Sequence, residues 1–149
     1  MQTTGRKTYR GMVKSLSDNQ VFVFGSNKQG RHGAGAALFA KRECGALYGQ
    51  PQGIQGRSYA IVTKDLEATR HPSVSREEIE SQIRDLYAYA REYPSKEFIV
   101  AYSADGRNLS RFSAWEMSGM FACQNPPSNV VFEEGFSELL ERHLSGKTK

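Results

Sequence analysis

Val21-Phe22-Val23-Phe24-Gly25-Ser26-Asn27, followed after a short loop by Gly33-Ala34-Gly35-Ala36-Ala37, decides how this chain folds. Four consecutive apolar residues halted by Gly-Ser-Asn predict a buried strand. Gly33 opens a predicted helix that runs to Cys44, and its first residues are small enough to let a helix end sit close to a strand or a ligand. Free backbone amides at such an end, reinforced by the helix dipole, hold phosphate well. The spacing of Gly30, Gly33 and Gly35 is not the dinucleotide fingerprint, and no Gly-Lys-Ser/Thr follows to make a P-loop. Two readings stand at this point: a phosphate-cradling loop, or a tight turn with close helix packing.

Working outward, Ser58 to Thr63 reads as a second strand that Lys64-Asp65 leave, and residues 49–57 and 66–73 read as loops. Ser75 and Glu78 have capping-box spacing, and Ile79, Ile83, Leu86 and Ala90 form one apolar stripe of a helix that Pro94 ends. Phe98 to Tyr102 is a third strand, followed by the loop Ser103-Ala104-Asp105-Gly106-Arg107-Asn108. Ser113 and Glu116 open another helix, carrying Trp115, Met120 and Phe121. After Pro126-Pro127, Asn129 to Phe132 is the last strand, and Gly135 to Leu144 the last helix. Tyr9 to Lys14 reads as a short edge strand. This alternation predicts an α/β fold with a largely parallel central sheet and helices on both faces. Residues 1–149 make a single domain, with 1–8 and 145–149 expected to be flexible ends.

Composition narrows the classes. A chain of 149 residues, 38% hydrophobic and 24% charged, suits one ordinary globular domain. No apolar run approaches the roughly 20 residues that cross a bilayer, and the polar start Met1 to Lys7 lacks an apolar core behind its charges. A cytoplasmic protein without a membrane partner is therefore expected. Cys44 and Cys123 are far apart and lack metal-ligand spacing, so free thiols, no metal and no cofactor are expected. The net charge of +4 favours an anionic partner (nucleic acid, nucleotide or phosphorylated ligand), or else is a solvated basic surface.

Ligands of open α/β sheets bind at the carboxyl ends of the strands. Three loops leave such ends: Gly25 to Gly35, Thr63 to Leu66, and Ser103 to Asn108. Asn27 both donates and accepts, which suits a ribose hydroxyl or a water; as an alternative it is a left-handed turn residue. His32 is either a phosphate or proton-shuttling group or a structural histidine. Asp105 could activate water and Arg107 pair with phosphate, although Asp-Gly is also a common turn. No nucleophile elbow, zincin motif or zinc cluster is present in the sequence.

The segments 21–27, 30–37 and 53–65, the last reading Gly-Ile-Gln-Gly-Arg-Ser-Tyr-Ala-Ile-Val-Thr-Lys-Asp, resemble a family of small macrodomain-like proteins from bacteria and bacteriophages. The resemblance spans residues 9–65 and continues more loosely to Phe132. It implies a macrodomain-like three-layer sandwich in a bacterial or phage-infected cell. It also implies binding of ADP-ribose or a related NAD-derived nucleotide, with two alternatives open: hydrolysis of ADP-ribose from a protein or nucleic acid, or binding without cleavage. The ligand-binding residues implied are Gly25, Ser26, Asn27, Gly30, His32, Gly33, Ala34 and Gly35 in the first loop, with Thr63, and Ser103, Ala104, Gly106 and Arg107 in the third. Asn27, His32 and Asp105 are the catalytic candidates. Where the family usually has a glycine-rich loop after the third long strand, this chain has Ser103 to Asn108. The rival readings are a nucleic-acid-binding protein, given the basic charge and seven tyrosines, and a host or phage interaction protein that kept the fold without the pocket.

Overall fold

The computed structural model describes residues 6–33, 35–104 and 110–146. Its elements run β1 (Thr8–Tyr9), β2 (Gln20–Asn27), α1 (Gly35–Glu43), β3 (Gly53–Gln55), β4 (Ser58–Lys64), α2 (Arg76–Glu92), β5 (Glu97–Val100), α3 (Ala114–Phe121), β6 (Val130–Glu133) and α4 (Glu134–Leu144). They form one six-stranded sheet in the order β1-β6-β5-β2-β4-β3. All pairings are parallel except the β3–β4 hairpin.

Side-chain alternation along β2 builds two cores at once. Val21 and Val23 enter a large core with Ile79, Ile83 and Leu86 of α2, Met117 and Phe121 of α3, and Phe136 and Leu140 of α4. Phe22 and Phe24 enter a smaller one with Ala37 and Ala40 of α1, Cys44 and Ala60. The molecule is thus three layers, with α1 on one face and α2, α3 and α4 on the other. At the far end of α1, Arg57 N donates to Cys44 O (2.7 Å) and Phe22 N to Arg57 O (2.9 Å). These bonds hold the C-terminus of α1 at the amino ends of β2 and β4. The helix runs antiparallel to β2, so its N-terminus lies at the carboxyl edge of the sheet.

Several expectations change in detail. The edge strand is Thr8–Tyr9 rather than Tyr9 to Lys14. The segment 49–57, expected as a loop, contains β3 and a two-residue hairpin turn at Gly56-Arg57. Gly56 takes φ +60, and a Cβ there would lie 2.8 Å from Gly45 O, so close packing against the end of α1 adds to the turn's demand for glycine. Helix α1 begins at Gly35 rather than Gly33, and β5 ends at Val100 rather than Tyr102. The Ser113–Glu116 capping box forms in both directions. At Ser75 only half of it forms: Ser75 accepts from Glu78 N, while the Glu78 carboxylate faces Lys28 Nζ at 3.7 Å. Residues 6–8, read as part of a loose end, are tied down. Arg6 Nε meets Glu141 Oε2 at 3.2 Å, Lys7 Nζ meets Glu97 Oε2 at 2.6 Å, and Thr8 pairs with Phe132. Cys44 and Cys123 are free thiols, and burial pushes Cys44 up to about 11. Among the described residues no helix is long and apolar enough to cross a membrane.

One side chain completes the sheet where the strands run out. β3 covers β4 only from Ser58 to Ala60. Beyond it, the buried Gln82 of α2 accepts from Val62 N (2.7 Å) and donates to Val62 O (2.9 Å), standing in for the missing strand. Replacing Gln82 with Ala strands a buried donor and acceptor together. The expected loss is about 2–4 kcal/mol in urea unfolding, whereas Ser113→Ala, which loses one exposed cap, is expected to cost about 1 kcal/mol.

Candidate functional site

Helix α1 follows β2 and lies on one face, whereas α3 follows β5 and lies on the other. Adjacent strands whose connections leave to opposite faces define the topological switch point of an α/β sheet, where a crevice opens. The pairing pattern opens it further. β2 stays paired with β4 as far as Asn27 with Lys64, across an irregularity at Ser26/Asn27. Its ladder with β5 stops at Val23 with Val100, and the last bond is Ala101 N to Val23 O at 2.9 Å. Past that point Gly25-Ser26-Asn27 and Tyr102-Ser103-Ala104 are no longer laddered to each other, and they flank the switch point where a crevice is expected.

The first-loop residues divide by role. Gly25 is half-buried between the buried Phe24 and Ser26, so the surface reaches the sheet at that residue. Asn27 turns its carboxamide onto its own loop: Nδ2 donates to Arg31 O (2.8 Å), and Oδ1 accepts from Arg31 N (2.9 Å). Gly30 is a packing position. It takes φ +68, its N–H goes to Asn27 O, its C=O accepts from Gly49 N, and a Cβ would lie 2.6 Å from Gly49 C. His32 is enclosed rather than open to a ligand. It meets the Phe24 ring edge-on at 5.3 Å, and its Nε2 lies 3.2 Å from Gln50 O. That carbonyl fixes the proton on Nε2 and leaves Nδ1 buried with no partner. Gly33 is exposed with open space around it. Gly35 is also open but takes φ +58.

The sequence just before α1 differs from that before the other three helices. Ser75, Ser113 and Glu133 cap α2, α3 and α4 with side-chain oxygens. The residues before α1 are Gly33 and Ala34, which have no capping atom, and its first turn has no acidic residue. Neither of these two residues therefore offers a side-chain oxygen to compete with an anion for the leading amides.

A clasp joins the β2 and β4 loops. Gln29 Nε2 donates to Asp65 Oδ1 (2.8 Å) and Leu66 N to Gln29 Oε1 (2.9 Å). Donation from Gln29 and from Glu67 N holds the Asp65 carboxyl below its ordinary range. Thr63, a predicted contact, is buried and donates to Ser26 O at 3.4 Å. Ser103 is half-buried and Ala104 exposed at the crevice's far side. Ala34, Asp105, Gly106 and Arg107 lie outside the described residues.

Two residues at this edge escape sequence reading. The Glu133 carboxylate binds Ala104 N (3.2 Å) as well as capping α4 through Phe136 N (2.9 Å), which docks the start of the third loop onto that helix. Tyr102, read as the end of a strand, packs its ring against Phe121 and Phe136 and carries its hydroxyl across to Gly25. Burial pushes this phenol up to about 12 and the neighbouring Thr63 hydroxyl draws it down, while among the described residues no group completes a hydrogen bond to the Tyr102 hydroxyl. Among the described residues no group of His, Cys, Asp and Glu is arranged to hold a metal ion.

No protein-family model matches the chain, and no curated protein matches it.

A Cβ on Gly25 would lie 2.5 Å from the Tyr102 hydroxyl, whose ring is held by two phenylalanines. Gly25→Ala is therefore expected to destabilise the fold by about 1–3 kcal/mol. Tyr102→Phe should recover part of that loss in the double variant, a non-additivity that a double-mutant cycle in urea measures.

Proposed function

We propose that this protein is macrodomain-like and binds ADP-ribose or a related NAD-derived nucleotide in the crevice between β2 and β5. The observation that carries the reading is the coincidence of that switch point with a helix α1 whose preceding residues, Gly33 and Ala34, carry no side-chain oxygen. The resemblance of residues 21–37 and 53–65 to small macrodomain-like proteins supports the choice of nucleotide. The phosphates rest on the amides of Gly33 and Gly35, and Ser103 and Ala104 stand on the other side. Asn27 acts by shaping the loop, since its carboxamide is engaged with Arg31. In the hydrolytic form of this reading, which releases ADP-ribose from a macromolecule, Asp105 takes the acid–base role because His32 is enclosed.

Isothermal titration with ADP-ribose, NAD and ADP tests the reading directly. Gly33 is the position to perturb: it has open space and no positive φ, whereas any side chain at Gly35 is strained by its φ of +58. Gly33→Glu should keep the fold by circular dichroism and weaken nucleotide binding by tenfold or more, about 1.4 kcal/mol, through repulsion of the phosphate. Equal affinity in Gly33→Glu and wild type would place the cradle elsewhere. Affinity for single-stranded oligonucleotides that collapses steeply with salt, with no nucleotide binding, would instead favour a nucleic-acid-binding protein.

A further inference from the structure

Two unfavourable features converge on one atom in the crevice. Glycine in the interior of a strand weakens it, and Gly25 stands in the middle of β2. A buried hydroxyl without a partner is costly as well, and the Tyr102 hydroxyl is one of two such side-chain atoms among the described residues. The two features are coupled, because the hydroxyl occupies the space that a side chain on Gly25 would fill. An alanine facing a phenylalanine would fill the same volume with neither cost. The Thr63 hydroxyl stands on the same spot, 3.2 Å from the Gly25 Cβ position. Gly25 is partly exposed between two buried residues, so the hydroxyl lies against the one residue of Phe24-Gly25-Ser26 that reaches the surface.

We propose that Tyr102 is a ligand-positioning residue whose hydroxyl, aided by Thr63, donates a hydrogen bond to a phosphate or sugar oxygen of the ligand seated over Gly25. The assignment rests on the crevice being a binding site, and it deepens the nucleotide reading above. A neutral phenol can donate across the physiological range, which suits an oxygen acceptor on the ligand. Its ring is fixed between Phe121 and Phe136, so the donor is already oriented before the ligand arrives.

The variant Tyr102→Phe separates this role from a structural one, because removing an orphan hydroxyl should raise the Tm of the free protein while binding weakens. Wild type and variant are titrated with ADP-ribose, ADP, ribose 5-phosphate and inorganic pyrophosphate. The expected result is a higher Tm without ligand, together with an affinity loss of about tenfold for the ligands that wild type binds. Loss confined to pyrophosphate-containing ligands assigns the contact to phosphate, and loss confined to ribose-containing ones assigns it to the sugar. If wild type binds ADP-ribose and Tyr102→Phe binds it equally well, the nucleotide reading stands and the role of Tyr102 falls. If wild type ignores ADP-ribose but binds another of these ligands, and the variant loses it, the role of Tyr102 stands and the ADP-ribose reading falls. If wild type binds none of the four, both fall.

Discussion

The unequal pairing of β2 with its two neighbours is the constraint on which the rest of this structure depends. On one side β2 is laddered to β4 through Asn27, and on the other it leaves β5 after Val23. Both faces of the strand are buried before that point, which locks it in place. Beyond it, one side is held rigidly while the other opens. The carboxyl end of β2 is thus held on one side and unpaired on the other, all from the position of one strand.

Polar groups around the crevice follow a division of labour. Those that shape loops are fully engaged: Asn27 with Arg31, Gln29 with Asp65 and Leu66, Glu133 with Ala104 and Phe136. Among the described residues the two buried side-chain atoms left without partners, His32 Nδ1 and Tyr102 Oη, sit on opposite faces of the same carboxyl edge. The scaffold around the crevice is thus nearly saturated in hydrogen bonds, and its unsatisfied capacity gathers at the edge where a ligand would approach.

Local physics made much of the fold legible in the sequence. The apolar run ending at Gly25 was readable as a strand, the stripe Ile79-Ile83-Leu86-Ala90 as a helix face, and Ser113 with Glu116 as a helix start, because each signal lies within a few residues of what it specifies. The β3 hairpin was missed although a turn of glycine and arginine between Gln55 and Ser58 could have announced it; the surrounding glycines and prolines masked a strand of only three residues. What no single sequence could supply was strand order. That β5 lies beside β2 is a long-range fact, and without it Tyr102 is an ordinary strand-end aromatic and Gly25 an ordinary turn residue. The spent carboxamide of Asn27 and the enclosure of His32 are of the same kind, since both depend on where Arg31 and Gln50 come to rest in space.

The Gln82–Val62 bridge has a meaning for how copies of this chain behave toward one another. β3 is a three-residue outer strand, and past it β4 would present a bare donor and acceptor to any extended segment in solution. By filling those positions from within, Gln82 removes the template on which another molecule could add a strand. The amide is a built-in terminator of sheet growth, guarding an edge too short to guard itself.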